Sequence, residues 1–403
     1  MRKPSSPFLT AALVLATGLL GIASAGATPF APETPALVAQ DTTKAGKRSS
    51  NVFISTGGKS KGNHVYINSD DNRREELKYN GDITLTDDFK NVKSISPKGY
   101  LRYVLTVNDD TKRLELESDA SGNISRKYYE NGKEIAYQPV GEQWLQQVMP
   151  DLIAKTGIGL EERVRAIYQK QGAKGVLAEA EKIEGEYGKQ RMVNYLLQQP
   201  NLKPADANLA LQHADKYLNS DYERSKMLRS VTHKQLEHTD LVTTYLQVSG
   251  KISSDYELRK VLTHLLQTPS LSQSALDKTA QATKSISSDY EKSKVLQQLT
   301  GNNNFMKGNY KAAFALLEDI SSDYEKSKSI RRILSQHQLS ARQQQELLPV
   351  VSQIGSDYEK SKALRSMAPQ IPADATALRE DYQKAARTIS SDHEYRKAME
   401  ALR

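Results

Sequence analysis

The segment Ser-Asp-Tyr-Glu recurs through the second half of this chain, with its Asp at Asp221, Asp255, Asp289, Asp323, Asp357 and, in a copy that has His393 for Tyr, Asp392. The steps are 34, 34, 34, 34 and 35 residues. A fixed period of that size marks a repeat array, in which each unit is one supersecondary piece that buries its apolar face only against its neighbours. Such arrays present surfaces more often than clefts, so the period by itself turns the functional expectation toward binding.

Within each copy, Ser-x-x-Glu has the form of a capping box: Ser220/Glu223, Ser254/Glu257, Ser288/Glu291, Ser322/Glu325, Ser356/Glu359 and Ser391/Glu394. The Ser hydroxyl accepts from the Glu backbone N–H and the Glu side chain returns to the Ser N–H, which predicts six helix starts. The Asp in the first turn then complements the positive end of its own helix dipole. Seven and ten residues after each Asp lie Leu228/Val231, Leu262/Leu265, Leu296/Leu299, Ile330/Ile333, Leu364/Met367 and Met399/Leu402, one apolar stripe. A second helix in each unit is clearest at Tyr310, Ala313, Phe314, Leu317 and Ile320. These spacings place one apolar face on each helix of a pair. Three residues before each Asp stand Leu218, Ile252, Ile286, Ile320, Ile354 and Ile389, positioned to plug the junction between successive units. Glu186-Tyr187 reads as a degenerate first copy, and Pro349, inside an expected second helix, predicts a kink or restart. The fold expected over residues 141–403 is an α-solenoid of about seven 34-residue helical hairpins, in a chain that is mainly α.

Ahead of the array the pattern differs. Residues 1–27 read as an export signal: Arg2 and Lys3, an apolar stretch over 8–22, then small residues with cleavage after Ala25 or Ala27. Residues 28–76, rich in Pro, Ala, Thr, Ser, Gly and Lys, read as a disordered linker with one short strand over 52–55. Over 77–140, short alternating runs are broken by Asn108-Asp109-Asp110, Ser121-Gly122-Asn123 and Asn131-Gly132, hairpin-type turns that predict a small antiparallel β-meander. Its candidate strands are 83–86, 100–107, 113–117, 124–129 and 134–137. Helical patterning begins at 142–155, with Trp144, Leu145, Val148, Leu152 and Ile153 on one side.

The chain has no cysteine, which excludes disulfides and a lipid-modified N-terminal Cys. Net charge is +8 on 403 residues, but the charges alternate in sign. Nucleic-acid binding wants Lys and Arg clustered on one face, so no nucleic-acid partner is expected. No later stretch approaches the roughly 20 apolar residues of a spanning helix, so the mature protein is expected secreted or periplasmic without stable membrane insertion.

Catalytic motifs fail on inspection. Residues 57–62 have glycine spacing like a phosphate loop, but Asn63-His64 stands where Lys-Ser/Thr is required. His233 and His238 are five apart, about 140° round a helix, and cannot share one metal from one face. His64, His213, His264, His337 and His393 show no ligand spacing. Catalytic residues, cofactor and metal are therefore all expected to be none.

What the caps and stripes leave over is a ladder. Tyr187, Tyr222, Tyr256, Tyr290, Tyr324 and Tyr358 hold one repeat position, and four residues later come Arg191, Lys226, Lys260, Lys294, Lys328 and Lys362. At about 100° per residue each Tyr lies nearly opposite the Leu stripe. One reading packs each Tyr on the neighbouring unit's first helix, with its hydroxyl on a carboxylate or backbone carbonyl. The other makes Tyr, Lys and Glu the lining of a groove for an extended peptide or polymer.

The combination resembles a known pattern. Gly81-Asp82-Ile83 with Asp87-Asp88, the Ser94-Ile95-Ser96-Pro97-Lys98-Gly99-Tyr100 run, Tyr128-Tyr129-Glu130-Asn131-Gly132-Lys133-Glu134, Trp144-Leu145 through Thr156-Gly157-Ile158-Gly159, and the Ser-Asp-Tyr-Glu repeats are similar to the envelope-exposed region downstream of the peptidase domain in BlaR1-like membrane metallopeptidases. The peptidase half, with its His-Glu-x-x-His, is missing, so the resemblance implies location and architecture and no activity. The 34-residue period also matches tetratricopeptide repeats, without the Trp-Leu-Gly-Tyr pattern of their first helix. The expected function is an exported, non-enzymatic binding or sensing module of the bacterial envelope with a protein or peptide partner. Two alternatives stand beside it: an accessory or regulatory subunit of an envelope hydrolase, with a site at the meander–solenoid junction near Trp144, and a structural spacer.

Overall fold

The computed structural model describes residues 37–44, 47–56, 63–183 and 186–403, so the expected signal over 1–27 lies outside the described residues. Strands β1 (Leu37–Lys44), β2 (Lys47–Thr56), β3 (Asn63–Ser69), β4 (Arg73–Asn80), β5 (Ile83–Leu85), β6 (Val92–Ile95), β7 (Tyr100–Val107), β8 (Asp110–Ser118), β9 (Ile124–Glu130) and β10 (Lys133–Ile135) come first. Eight of them form one sheet in the order β1-β2-β3-β4-β7-β8-β9-β10, and β5-β6 is a separate hairpin between β4 and β7. Every pairing is antiparallel. The meander therefore reaches well before residue 77, correcting the linker expected over 28–76. Period-2 alternation is present in β3 and β4, but polar residues disguise it. The inward positions of β4 are Glu75, Leu77 and Tyr79, and the fully buried Glu75 reads as a solvent residue in the sequence.

The turns follow their residues. Asn108 and Asp109 have φ of 48° and 73°, and Asn131 and Gly132 have 50° and 84°. Two successive left-handed residues make the type I′ turn that matches strand twist, and Asn, Asp and Gly adopt it at least cost. The candidate strand over 134–137 is shorter than expected: β10 ends at Ile135 and Tyr137 opens a short helical turn, Tyr137–Gly141.

One sheet face is apolar. Leu77, Leu101, Tyr103, Leu114, Leu116 and Tyr128 are buried there, in register across β4, β7, β8 and β9. Helix α1 (Glu142–Thr156) covers them, its Trp144 ring centred 5.4 Å from both Tyr103 and Tyr128. Glu75 is held in this interface by the Tyr103 hydroxyl at 2.8 Å and by Lys155 Nζ of α1 at 2.9 Å. A buried carboxylate is tolerated only with such partners.

The array follows as α2 (Leu160–Glu181), α3 (Glu186–Leu197), α4 (Pro204–Tyr217), α5 (Asp221–Leu228), α6 (Thr239–Ser249), α7 (Asp255–Leu266), α8 (Gln273–Thr283), α9 (Asp289–Thr300), α10 (Asn303–Glu318), α11 (Asp323–Gln336), α12 (Ala341–Ser352), α13 (Asp357–Met367), α14 (Thr376–Ala386) and α15 (Asp392–Ala401). From α3 onward the odd-numbered helices pack side by side in one layer, and the even-numbered ones from α2 in a second. This is a mainly α fold, a solenoid of helix pairs behind a small antiparallel sheet. Gly172 (φ 65°) breaks α2 into two helices, and Asn309 does the same in α10.

The apolar stripe and the plugs form its core. Leu228, Leu262, Leu296, Ile330 and Leu364 are fully buried, as are Ile286, Ile320 and Ile354, each worth about 1.5–3 kcal/mol of transfer free energy. Helix α12 runs through Pro349 without leaving helical backbone angles, correcting the expected kink. Pro349 and Gln345, whose carbonyl loses its usual donor, both lie on the exposed side, where water replaces the missing bond.

The capping box also needs correction. In all six copies the Ser accepts from the Glu backbone N–H at 3.3–3.4 Å, but the Glu side chain does not return to the Ser. The Asp of the preceding unit occupies that donor. Asp255 Oδ2 accepts from Ser287 N–H at 3.1 Å and Ser288 N–H at 2.7 Å, Asp289 from Ser321 and Ser322, Asp323 from Gly355 and Ser356, and Asp357 from Ser391. Asp221 does the same at Ser253 and Ser254, and Glu186 at Asn219 and Ser220. The Asp therefore ties one unit to the start of the next, a role beyond the dipole term expected of it. Among the described residues the two-sided box forms once, at Ser340/Gln343.

Candidate functional site

With the caps placed, each position of the repeat motif can be followed to its contact. The Ser caps its own helix and the Asp clasps the next unit. The Glu is buried in every copy but the one at Glu291, which is half-buried, and Glu257, Glu325 and Glu359 each meet the Lys three residues on, at 3.2, 3.6 and 3.2 Å. Glu291 pairs instead with Arg259 of the preceding unit. Burial pushes the Glu223 carboxyl above its ordinary range and, in the same unit, pushes the Lys226 ammonium below its own. The residue after the Glu reaches forward to the next junction: Lys360 Nζ donates to Thr388 Oγ1 at 3.0 Å, and Lys292 pairs with Asp319. The second Ser, replaced by Arg259 and Arg396 in two units, is fully buried in the other four, and in three of them it bonds to the next unit's Glu residue, while Ser225 has no hydrogen-bond partner among the described residues. Ser293 donates to Glu325 Oε2 at 2.7 Å, Ser327 to the Glu359 carbonyl at 3.0 Å and Ser361 to the Glu394 carbonyl at 3.1 Å.

The Tyr is the exception. Tyr222, Tyr256, Tyr290, Tyr324 and Tyr358 are 43, 53, 53, 53 and 54% exposed and make no hydrogen bond through their hydroxyls among the described residues. The part of the packed reading that gives each hydroxyl a carboxylate or backbone carbonyl is corrected. Each Tyr is the second residue of its helix, and the neighbouring helix start is held by the Asp of the same unit. The residue four on lies one turn above it. Lys260, Lys294, Lys328 and Lys362 place Nζ 4.8, 5.1, 5.2 and 4.6 Å from the ring centres of Tyr256, Tyr290, Tyr324 and Tyr358. Such cation–π contacts at exposed sites are worth about 0.5–1 kcal/mol, and Tyr256 has a second one, with Arg259 5.0 Å from its ring centre. Lys226 sits between two rungs, 5.4 Å from Tyr187 and 5.8 Å from Tyr222.

The first rung is different. Arg191 is half-buried and donates to the Thr156 carbonyl at 3.0 Å, to the Tyr187 hydroxyl at 3.0 Å and to the Tyr195 hydroxyl at 2.8 Å. Gly157, at φ 74°, leaves room for it, since a Cβ there would come within 2.4 Å of the guanidinium. Arg191 is the tie between α1 and α3, beside the stacked His64 and Tyr79 rings of the sheet at 4.4 Å. Burial pushes the Tyr79 hydroxyl up to about 12.

At the junction expected to house an alternative site, a cleft of about 580 Å³ opens two residues from Trp144, between the sheet and the start of α1. Its polar groups serve each other: Asn91 donates to Glu142 at 3.0 Å, and Arg126 donates to the carbonyls of Val92 and Ile124 at 3.2 and 3.3 Å. A second cleft, about 340 Å³, lies on the even-numbered layer beside His213 and Tyr217. His233, one of the pair rejected as metal ligands, bonds to Thr268 at 3.1 Å and packs at a tilt against His264 with ring centres 4.7 Å apart, a contact between units. Among the described residues no three His, Cys, Asp or Glu side chains come together as a metal site. Among the same residues no helix is long and apolar enough to cross a membrane.

Sequence reasoning missed the forward reach of the Asp and of the second Ser. Both lie on contacts between units, and for the Asp the signal was available: it is kept in all six copies although one helix needs only one cap. Comparison with known protein families and with curated proteins finds no match.

Proposed function

We propose that this chain is an exported, non-enzymatic binding module of the bacterial envelope, whose solenoid presents the Tyr and Lys ladder to an extended peptide or protein partner. One observation carries the reading. The first Ser of the motif caps its helix, the Asp ties its unit to the next and the Glu is largely buried, whereas Tyr222 through Tyr358 stay about half exposed at the same position of five successive units. An exposed Tyr forgoes burial that its ring could have had, and aromatic rings aligned on a surface are what interfaces use as anchors. The export pattern of the first 27 residues and the resemblance to envelope-exposed regions support the location.

The combined variant Tyr256→Ala/Tyr290→Ala/Tyr324→Ala tests the reading. It is expected to stay folded with a moderate loss of stability, since three cation–π contacts of about 0.5–1 kcal/mol each go with the rings. In pull-downs from envelope extract, a partner retained by the unaltered protein should be lost from the variant. A variant that melts several degrees lower while retaining the same partner would assign the ladder to stability and overturn the proposal.

A further inference from the structure

Away from the ladder, the sheet holds a charge that the fold does not neutralise. We infer that the cleft of about 580 Å³ between β6, β9 and the start of α1 binds a small organic acid bearing hydrogen-bond donors, with Arg126 and Lys93 taking its carboxylate and Glu142 its donors.

Arg126 argues first. Side chains alternate along a strand, so residues 124, 126 and 128 of β9 share one face. That face is the apolar one: Tyr128 is fully buried, and Arg126 stands opposite the fully buried Leu116 of β8. A charge in such a place requires partners. Glu75, on the same face of the sheet, has Lys155 and the Tyr103 hydroxyl. Arg126 donates to the carbonyls of Val92 and Ile124 and lies beside the Tyr137 hydroxyl, but among the described residues it forms no ion pair. A guanidinium has five N–H donors, and its planar fork matches a carboxylate. Lys93 of β6 lines the same cleft, exposed, and its ammonium likewise has no ion pair among the described residues.

Glu142, the first residue of α1, supplies the opposite charge. Its Oε1 accepts from Asn91 Nδ2 at 3.0 Å and its Oε2 from Gln138 Nε2 at 3.4 Å. Asn91 is fixed in turn, its Oδ1 accepting from the Val92 N–H at 2.8 Å and the Tyr137 hydroxyl at 3.4 Å. A carboxylate has about four acceptor positions, so Glu142 retains room for donors from a ligand.

These charges select by rejection as well as by attraction. Two cations exclude a cationic ligand, and Glu142 disfavours a dianion such as phosphate. A single carboxylate accompanied by hydroxyl or amino donors satisfies both sides. Tyr137, Val92 and Ile124 supply the apolar wall, and the volume falls in the range of about 300–1,000 Å³ typical of small-molecule sites. None of these residues belongs to a repeat motif, so the inference stands or falls apart from the ladder.

The test is calorimetric titration of the full chain with four probes: alanylalanine, gluconate, butyrate and inorganic phosphate. Saturable binding of alanylalanine or gluconate is expected at millimolar concentration, the one that binds separating an amino-acid source from a sugar-acid source. Butyrate, which has no donor for Glu142, should bind roughly tenfold more weakly, and phosphate not at all. Glu142→Gln keeps an acceptor for Asn91 and Gln138 but loses the charge, so it should narrow the gap to butyrate and admit phosphate. Lys93→Gln should weaken the bound acid severalfold with an unchanged melting temperature, and Arg126→Gln should abolish binding. Because Arg126 also ties β9 to β6, the other two variants decide if that one does not fold. No saturable binding of alanylalanine or gluconate, butyrate binding equal to theirs, or affinities unchanged in both Glu142→Gln and Lys93→Gln overturns the inference.

Discussion

At the scale of single residues, the Asp of the motif has the largest reach. Its carboxylate satisfies two backbone donors of a helix start 32 and 33 residues away, as Asp289 does at Ser321 and Ser322. Those N–H groups have no partner inside their own helix, so removing the carboxylate returns them to water at the edge of a packed junction. Hydrogen bonds to a charged group contribute about 1.5–3 kcal/mol, and partial exposure puts this pair near the lower end. Asp289→Ala should therefore lower stability by about 1–2 kcal/mol, and Asp289→Asn by less, because its amide oxygen still accepts. Urea titration of the two variants measures the difference; an Asn variant as damaged as the Ala variant would show that charge, and not acceptance, is what matters. The sequence showed that an acidic residue was required here but not its target, because the target is on the next unit.

At the scale of elements, the helix pair was legible because its period and its caps agree. Leu and Ile at fixed offsets from each Asp marked the buried stripe, and the plug position at Ile286 and Ile320 marked the seam between units. Truncation at such a seam leaves a cavity that two units cannot both collapse into. Ile286→Ala, fully buried between α8 and α9, should cost about 2–5 kcal/mol. The units are coupled mainly to nearest neighbours, so the loss should appear first as faster amide exchange in α8 and α9, ahead of α3 and α15. Uniform acceleration along the array would mean that the solenoid unfolds as one block. Pro349 taught the opposite lesson. A proline breaks a helix where its lost bond is buried, and here the freed carbonyl faces water. β3 and β4 were missed for a related reason: Glu75 looks like a solvent residue until Lys155 and Tyr103 come to it from α1 and β7.

At the scale of the molecule, three histidines share one response to pH. Burial lowers the pKa of His64 in the sheet, and it does the same for His213 and His264 in the array. Their ordinary value is 6.5, so between that value and the lower folded ones the unfolded chain binds protons that the folded chain does not. Stability is then complete above pH 6.5 or so and falls as the solution is acidified below it. The raised carboxyl of Glu223 works in the other direction. The urea midpoint should be lower at pH 5.5 than at pH 7.5, and the drop should shrink in His213→Gln. A midpoint unchanged over that window would show that the three imidazoles take up protons in the folded state as readily as in the unfolded one.

What this sequence determined by itself is the local and periodic part of the protein: a 34-residue unit, its helix starts, its apolar stripe and the I′ turns of the meander. Those features depend on residues within a turn or two of each other, and a repeated signal averages out exceptions. Tertiary structure decided what each polar residue touches across a unit boundary. The Asp leaves its own helix for the next, the second Ser and the Glu are buried between units, and Tyr256 and its counterparts are left facing outward. Those outcomes depend on the distance and tilt between packed helices, which no spacing along the chain encodes.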